Sequence, residues 1–280
     1  MSQDDGGQST SPSTGYLHGY SKEEQDRLLR QAEFLEFSVY EHLDLGAVQH
    51  LLEVGCGVGA QTRILLRRFP HLHITAVDGV ATQIEAARAT LMSAIAAGRV
   101  ELLVSRAEEL PFPEGSFDGA FLCWLLEHVG EPLAILSEVR RALRPGGTIL
   151  CTEVQNATFF LDPYSPATQQ YWLAFNDHQW NLHGDPFVGA KLGNLLIQAG
   201  YQQVQTFVRT FHYDARAPKK RKEFITYWST LLLSGAPSLL AAGRVSQALI
   251  DQMTEELERL AVAPDSVIFY SYVQAKAEAR

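Results

Sequence analysis

Seven consecutive residues, Glu53-Val54-Gly55-Cys56-Gly57-Val58-Gly59, join a carboxylate to three glycines at the end of a short apolar run. Glycine lets the backbone take positive φ and pass close to a ligand. A helix that follows such a loop offers free N–H groups at its start. The dinucleotide fingerprint G-x-G-x-x-G uses this arrangement to hold a pyrophosphate. Here the loop is G-x-G-x-G, one residue shorter before the third glycine, and Glu53 precedes it by two. A carboxylate is unfavourable beside a pyrophosphate and suits a ligand that carries a cation. Asp78 stands 19 residues beyond Gly59. A carboxylate at that distance can accept from the two hydroxyls of a ribose.

These groups need elements to position them, and the pattern around them is strand, Gly-rich turn, helix, repeated. Leu51 to Val54, His73 to Val77, Val100 to Val104, Phe117 to Cys123 and Thr148 to Glu153 read as five strands. Helical stripes fall between them, including Val80, Ile84, Ala87, Leu91 and Ile95, and Leu136, Val139 and Leu143 after Pro132. Arg144-Pro145-Gly146-Gly147 reads as a turn. Alternating β and α implies a parallel sheet covered on both faces. Ligands bind such sheets at the C-terminal ends of the strands. Three further segments are placed there: Arg106-Ala107-Glu108-Glu109-Leu110-Pro111-Phe112, Ser116-Phe117-Asp118, and Cys123-Trp124-Leu125-Leu126-Glu127-His128.

Upstream, residues 1–15 carry no large apolar group beyond Met1 and are expected to be disordered. Ser21-Lys22-Glu23-Glu24 fits a capping box for a helix over 22–42. Downstream, 157–183 is rich in aromatics without a clear strand, 189–199 reads as a helix stopped by Gly200, and two helices are expected over 219–233 and 237–261. Gln202 to Tyr213 and Ser266 to Ala275 alternate as two late strands.

LLEVGCGVG, VDG, AEELPFPEGSFD, LEHV and LRPGG together resemble the successive motifs of the class I S-adenosylmethionine-dependent methyltransferases. The likeness is strongest to the small-molecule branch with ubiquinone-, menaquinone- and natural-product-type enzymes. It covers residues 48–155 well and 185–213 more loosely. It implies a Rossmann-like α/β fold with a seven-stranded, mostly parallel sheet whose last two strands are antiparallel, plus an N-terminal helical lid and a helical insertion. The implied organisation is a tail at 1–15, a lid helix at 16–47, a cofactor core at 48–155, and pocket insertions and late strands of the same domain at 156–280. It implies S-adenosyl-L-methionine as cofactor, with S-adenosyl-L-homocysteine as product.

Site roles follow from the resemblance. Gly55, Cys56 and Gly57 would line the methionine portion, with Glu53 near its ammonium. Asp78 would bind the ribose, flanked by Gly79 and Gln83. Ala107 would offer an N–H to the adenine, joined by Glu108, and the Cys123 carbonyl would meet the amino group. Trp124 would border the transferred methyl. The family often places Asp where Arg106 stands. Arg106 cannot accept a hydrogen bond, so either Glu108 substitutes or the adenine uses backbone alone. His128 reads as a helix cap or a supporting residue behind the site, or as a contact with cofactor or substrate. Cys56 and Cys123 read as packed thiols.

Methyl transfer is an in-line displacement in which alignment does much of the work, and a base is needed only when the acceptor loses a proton. Tyr16, His18 and Tyr20 precede the first helix, where a segment can close over the site. Tyr20 is expected as a lid residue with a catalytic and cofactor contact, or as a plain hydrophobic staple. Phe159, Tyr164, Trp172, Phe175 and Trp180, with Tyr16, Trp124 and Trp228, are expected to wall a pocket for a flat or apolar acceptor. His178 and His183 are the base candidates. Phe224, Tyr227, Trp228, Leu231 and Leu232 form a stripe open to three readings: pocket, lid or contact with a second copy. No metal site is expected, because no Cys or carboxylate set stands at ligand spacing.

Composition narrows the partners. The net charge of −9 disfavours nucleic acid, which needs a basic footprint. The run Lys219-Lys220-Arg221-Lys222 reads as a solvated helix start. No apolar stretch of membrane-span length is evident. The polar start and three cysteines without CxxC spacing lead us to expect a cytoplasmic protein. The expected activity is methyl transfer to a small apolar or aromatic metabolite. A cyclase or other non-methylating enzyme with the same cofactor is the alternative. The loop and Glu53 disfavour a nicotinamide oxidoreductase, and Cys123-Trp124-Leu125-Leu126 differs from the Asn/Asp-Pro-Pro-Tyr motif of nucleic-acid methyltransferases.

Overall fold

Repeated strand–helix steps make strands run parallel, because each helix carries the chain back across a face of the sheet. The computed structural model describes residues 16–280, and its first five strands run parallel with a helix in every connection but the third, which is a loop. The expected tail at 1–15 lies outside these residues. β1 (His50–Val54), β2 (His73–Asp78), β3 (Val100–Val104), β4 (Phe117–Cys123) and β5 (Leu143–Val154) pair in parallel in the order β3-β2-β1-β4-β5. Helices α2 (Ala60–Arg68), α3 (Ala81–Thr90), α4 (Met92–Ala96) and α5 (Pro132–Ala142) lie in the connections. β4 is buried along its whole length, as a central strand covered on both faces must be.

The rest of the chain adds three strands and five helices: α1 (Lys22–Tyr40), β6 (Phe160–Asp162), α6 (Pro166–Asn181), α7 (Leu192–Gln198), β7 (Gln202–Tyr213), α8 (Pro218–Ala241), α9 (Gln247–Val262) and β8 (Val267–Glu278). β8 runs antiparallel to β5 and to β7, so the last two strands are antiparallel as expected. The sheet has eight strands rather than seven. The extra one, β6, pairs with the start of β8 on the side that β5 uses further along. Thr158 pins this return, because its hydroxyl oxygen accepts from the Ser271 N–H at 2.8 Å. Three residues are too few for an alternating pattern to show in the sequence.

Other boundaries also move. Arg144 to Gly147 belongs to β5 instead of forming a separate turn. Leu143 already pairs with Phe117, and Gly146 donates to Ala279 O at 2.8 Å. The expected break near residue 235 is absent, and α8 continues through Pro237. Gly235 marks a close approach there, since a Cβ would meet Leu17 at 2.5 Å and Phe175 at 2.9 Å. The break falls before Ser246, whose hydroxyl caps α9 by accepting from Leu249 N. Ser21 likewise caps α1 by accepting from Glu24 N. Glu24 does not complete the box, because Arg27 holds its carboxylate at 2.6 and 2.7 Å. Arg221 is buried and donates to the carbonyls of Ala263, Pro264 and Ser266, so it fastens the turn between α9 and β8.

Two apolar layers flank the sheet. One packs Leu136 and Val139 of α5 and Leu192 and Leu196 of α7 against Leu52, Leu122 and Ile149. The other packs α1, α2, α6, α8 and α9 against Phe121, Leu150 and Tyr272. By length and composition α8 would suffice to cross a membrane. Here its Phe224, Trp228, Leu232 and Leu239 are buried in that second layer.

Candidate active site

The sheet reverses its winding between β1 and β4, and the strand ends diverge there. A cavity of about 720 Å³ opens at this edge. Its wall takes Gly55, Cys56 and Gly57 after β1, Asp78 and Gly79 at the end of β2, and Ala107 and Glu108 after β3. Cys123, Trp124 and His128 enter after β4, Asn156 after β5, and Gln83 from α3. The segment before α1 contributes Tyr16, His18 and Tyr20.

Asp78 organises one end. Its Oδ2 accepts from Gly57 N and its Oδ1 from Val80 N, both at 2.9 Å, so it clasps the loop after β1 to the end of β2. Burial raises its carboxyl above the ordinary value, and those two N–H donors oppose the rise. Gly57 has φ +52°, and a Cβ built on it meets nothing within 4 Å. The loop is thus bare backbone facing open space. Gly55 has φ +76° and a different constraint, since a Cβ there would lie 2.7 Å from Leu125. Glu53 lies behind the loop rather than on the wall. Its Oε2 is buried without a partner among the described residues, and burial pushes its carboxyl up to about 8. Burial also raises the Cys56 and Cys123 thiols, which keeps them protonated and inert.

The segment before α1 packs its aromatic rings against this end. Tyr20 stacks on Tyr16 at 5.3 Å, and Tyr16 meets His128 edge-on at 4.8 Å. Tyr16 donates its hydroxyl to Glu24 at 3.3 Å. Beyond β4, Glu153 accepts from the N–H groups of Leu125, Leu126 and Glu127 and so shapes the turn that carries His128. Burial pushes the Glu153 carboxyl to about 8, with the nearby Glu127 charge adding to the shift. Burial lowers the pKa of His128.

The other end is aromatic. Trp172 and Phe175 of α6 stack at 5.4 Å, and Trp228 of α8 packs on Tyr270 at 4.5 Å. Asn156 ties these walls together. It donates to Asn176 Oδ1 at 2.7 Å, accepts from Tyr270 OH at 2.8 Å, and its carbonyl accepts from Trp172 Nε1 at 3.1 Å.

Several expected site residues lie elsewhere. His178 is buried but off the cavity, its Nε2 2.8 Å from Ser238 Oγ. His183 is exposed in the turn that ends α6, with φ +66°. Phe159 stands behind the wall, stacked on Trp228 at 5.0 Å. Tyr164 and Trp180 are exposed. Asp118 sits at the opposite sheet edge, where it accepts from Gln49 N and His50 N and fixes the start of β1. Of the α8 stripe, Phe224, Tyr227, Trp228 and Leu231 face the cavity, while Leu232 is core. Arg27, Asn156, Phe211 and Tyr270 line the cavity and were missed. Alternation along β7 and β8 carries a signal for Phe211 and Tyr270, whereas nothing local singles out Asn156.

A 3-2-1-4-5 parallel sheet with an antiparallel strand beside β5 and a cleft at the reversal defines a Rossmann-like fold for a nucleoside cofactor. The Methyltransferase domain family matches residues 52–151. The chain is 32% identical over 155 residues to O-methyltransferase rstn1 of Aspergillus nomiae, covering 54% of this chain and 66% of that one. It is 31% identical over 201 residues to O-methyltransferase cnsE of Penicillium expansum, covering 68% and 66%. It is 31% identical over 119 residues to the demethylmenaquinone methyltransferase of Symbiobacterium thermophilum, covering 42% and 47%. The chain thus spans about half to two thirds of the length of these relatives.

Among solved structures, the fold is similar to that of Haemonchus contortus phosphoethanolamine N-methyltransferase 2 in complex with phosphomonomethylethanolamine and S-adenosylhomocysteine. The TM-score is 0.59 and the identity 16%, over 96% of this chain and 61% of that one. It is also similar to that of a putative methyltransferase from Bacillus halodurans, with TM-score 0.54 and identity 16%, over 89% and 97%. The chain belongs to the class I S-adenosylmethionine-dependent methyltransferases. The bare backbone at Gly57, the buried Asp78 and the unpartnered Glu53 Oε2 fit a ribose-bearing cation.

Proposed function

We propose that this chain transfers a methyl group from S-adenosylmethionine to a small, flat, largely apolar metabolite. The observation that carries this reading is a single cavity with a carboxylate-and-glycine end and an aromatic end. When bound, the cofactor supplies a methyl already activated on a sulfonium. The chain supplies placement, which lowers the entropic part of the barrier. Asp78 accepts from the ribose hydroxyls while its N–H donors hold it still. Gly79 and Gln83 flank the ribose and adenine, Ala107 and Glu108 border the adenine, and the Cys123 carbonyl takes its amino group. Glu108 lies 3.6 Å from Arg106 Nε, so its carboxylate is partly engaged. Gly55, Cys56 and Gly57 line the methionine portion, with the buried Glu53 carboxyl behind them. Trp124, held at φ 56°, borders the reacting carbon, and His128 faces it from the next turn. Tyr16 and Tyr20 exclude water as a lid.

The O-methyltransferase names of the fungal relatives support an oxygen acceptor. The wall of Trp172, Phe175 and Trp228 supports a planar one. The methyltransferase names of the relatives favour methyl transfer over a cyclase. Residues 16–47 act as the lid, 48–155 as the cofactor core and 156–280 as the acceptor pocket. The free cysteines Cys56, Cys123 and Cys151 support a reducing, cytoplasmic setting. Calorimetry with S-adenosylhomocysteine tests the cofactor half. One site per chain is expected, and absence of binding would remove the proposal.

A further inference from the structure

We propose that His18 accepts the proton of the reaction and that the group it serves is the hydroxyl of a flat aromatic alcohol. This rests on the methyl-transfer reading above. The histidines on the cavity wall are His18 and His128, since His178 and His183 lie off it. Nε2 of His128 is 3.6 Å from Glu127, and the ring is engaged edge-on by Tyr16.

His18 is held differently. Its Nδ1 lies 2.6 Å from Ser234 Oγ of α8, and the Ser234 hydroxyl donates to Leu231 O at 2.8 Å. A serine hydroxyl has one proton. With that proton on Leu231, Ser234 accepts from His18, so Nδ1 carries the ring hydrogen and Nε2 bears a lone pair. No described residue hydrogen-bonds that Nε2. Burial, with Arg27 and His128 nearby, pushes the imidazolium well below its ordinary range, so the ring is neutral and ready to accept. The ring packs on Phe175 at 5.7 Å, and Phe175 stacks on Trp172. The lone pair and the planar wall thus belong to one chamber.

The step balances simply. A lone pair on the acceptor oxygen forms the new C–O bond to the methyl carbon. The C–S bond breaks and its pair returns to sulfur. The O–H proton passes to Nε2 of His18, and the lowered pKa then releases it to water. Oxygen under alkylation becomes strongly acidic, so a weak, neutral base suffices. Ser234 is a positioning residue that fixes the tautomer.

The test uses the full chain with S-adenosylhomocysteine and two probes, 2-naphthol and its methyl ether. His18→Asn keeps an N–H donor near Ser234 and removes Nε2. The wild-type complex should bind 2-naphthol about three- to tenfold more tightly than the ether, the range of one neutral hydrogen bond. His18→Asn should lose that preference while binding S-adenosylhomocysteine within about twofold of wild type, the scatter of a near-neutral substitution. Labelled methyl transfer to 2-naphthol should fall by about a hundredfold or more. Nitrogen-15 NMR of wild-type histidine should show the Nδ1–H tautomer for His18, and Ser234→Ala should mix the two tautomers. An Nε2–H tautomer in the wild type, or a naphthol preference that survives in His18→Asn, overturns the proposal. So does absence of the preference in the wild type. Failure of wild-type S-adenosylhomocysteine binding would instead strike the methyl-transfer reading beneath it.

Discussion

Replacing Asp78 by Ala separates a cofactor contact from a loop clasp. The carboxylate accepts from Gly57 N and Val80 N at 2.9 Å. Hydrogen bonds to a charged group contribute about 1.5–3 kcal/mol each when no replacement exists. Both N–H groups belong to residues on the cavity wall, where water can replace the lost acceptor. The cost to the free protein is therefore only about 1–2 kcal/mol in total. At about 2–4 °C per kcal/mol for a chain approaching this size, Tm should fall by about 2–8 °C. The bound cofactor has no such substitute, because two ribose hydroxyls lose one charged acceptor in a water-poor site. About 3 kcal/mol of binding should go, which weakens S-adenosylhomocysteine roughly a hundredfold. Calorimetry below the Tm of both proteins reads the affinity, and thermal melting reads the clasp. An affinity within about threefold of wild type, below the effect of a single charged hydrogen bond, would mean that Asp78 only holds the loop.

Gly57→Ala should fold with a left-handed backbone strain of about 1–2 kcal/mol and lose cofactor affinity, since its methyl enters the cavity. Gly55→Ala adds a clash with Leu125 and should melt at a lower temperature than Gly57→Ala in the same assay. Glu53 has a folded pKa of about 8 against an ordinary 4.5. Its stabilising contribution is full below 4.5 and disappears as pH rises through 8. Tm of the free protein should therefore decline toward alkaline pH. Glu53→Gln should flatten part of that slope and leave the part due to Glu153, and an unchanged slope would contradict the burial argument. Arg221→Ala strips the carbonyls of Ala263, Pro264 and Ser266 of their donor. It should lower Tm by about 4–12 °C for a loss of about 2–3 kcal/mol, with S-adenosylhomocysteine affinity unchanged. Trp172→Phe removes the bond to Asn156 O and should raise the acceptor KM without moving cofactor affinity.

The residues that the sequence reading assigned to strand ends and that line the cavity lie within a few positions of a strand end. Asp78 and Cys123 end a strand, Gly55 to Gly57 and Ala107 follow one, and parallel strands present those ends at one edge. Nothing further was needed to bring them together. The acceptor side depends on how far a helix runs past the cavity. Trp172, Phe175, His178 and Gln179 all lie on the buried face of α6. His178 is one turn beyond Phe175 and meets α8 instead of the cavity. Periodicity reports the face and says nothing of that length. His18 finds its partner Ser234 across 216 residues, a pairing no local pattern records. Glu24 shows a competition of the same kind, since a buried guanidinium one turn away outbids its own helix start.

Methyl transfer itself is tested most directly by incubating the chain with S-adenosylmethionine labelled in its methyl group and a panel of flat aromatic alcohols, with the products separated by mass. The account predicts label in a methyl ether of at least one aromatic alcohol, and about a tenth as much or less when Asp78→Ala is assayed at cofactor levels that saturate only the wild type. Label that stays on the cofactor while S-adenosylhomocysteine still binds, or that enters protein or RNA instead, would contradict it.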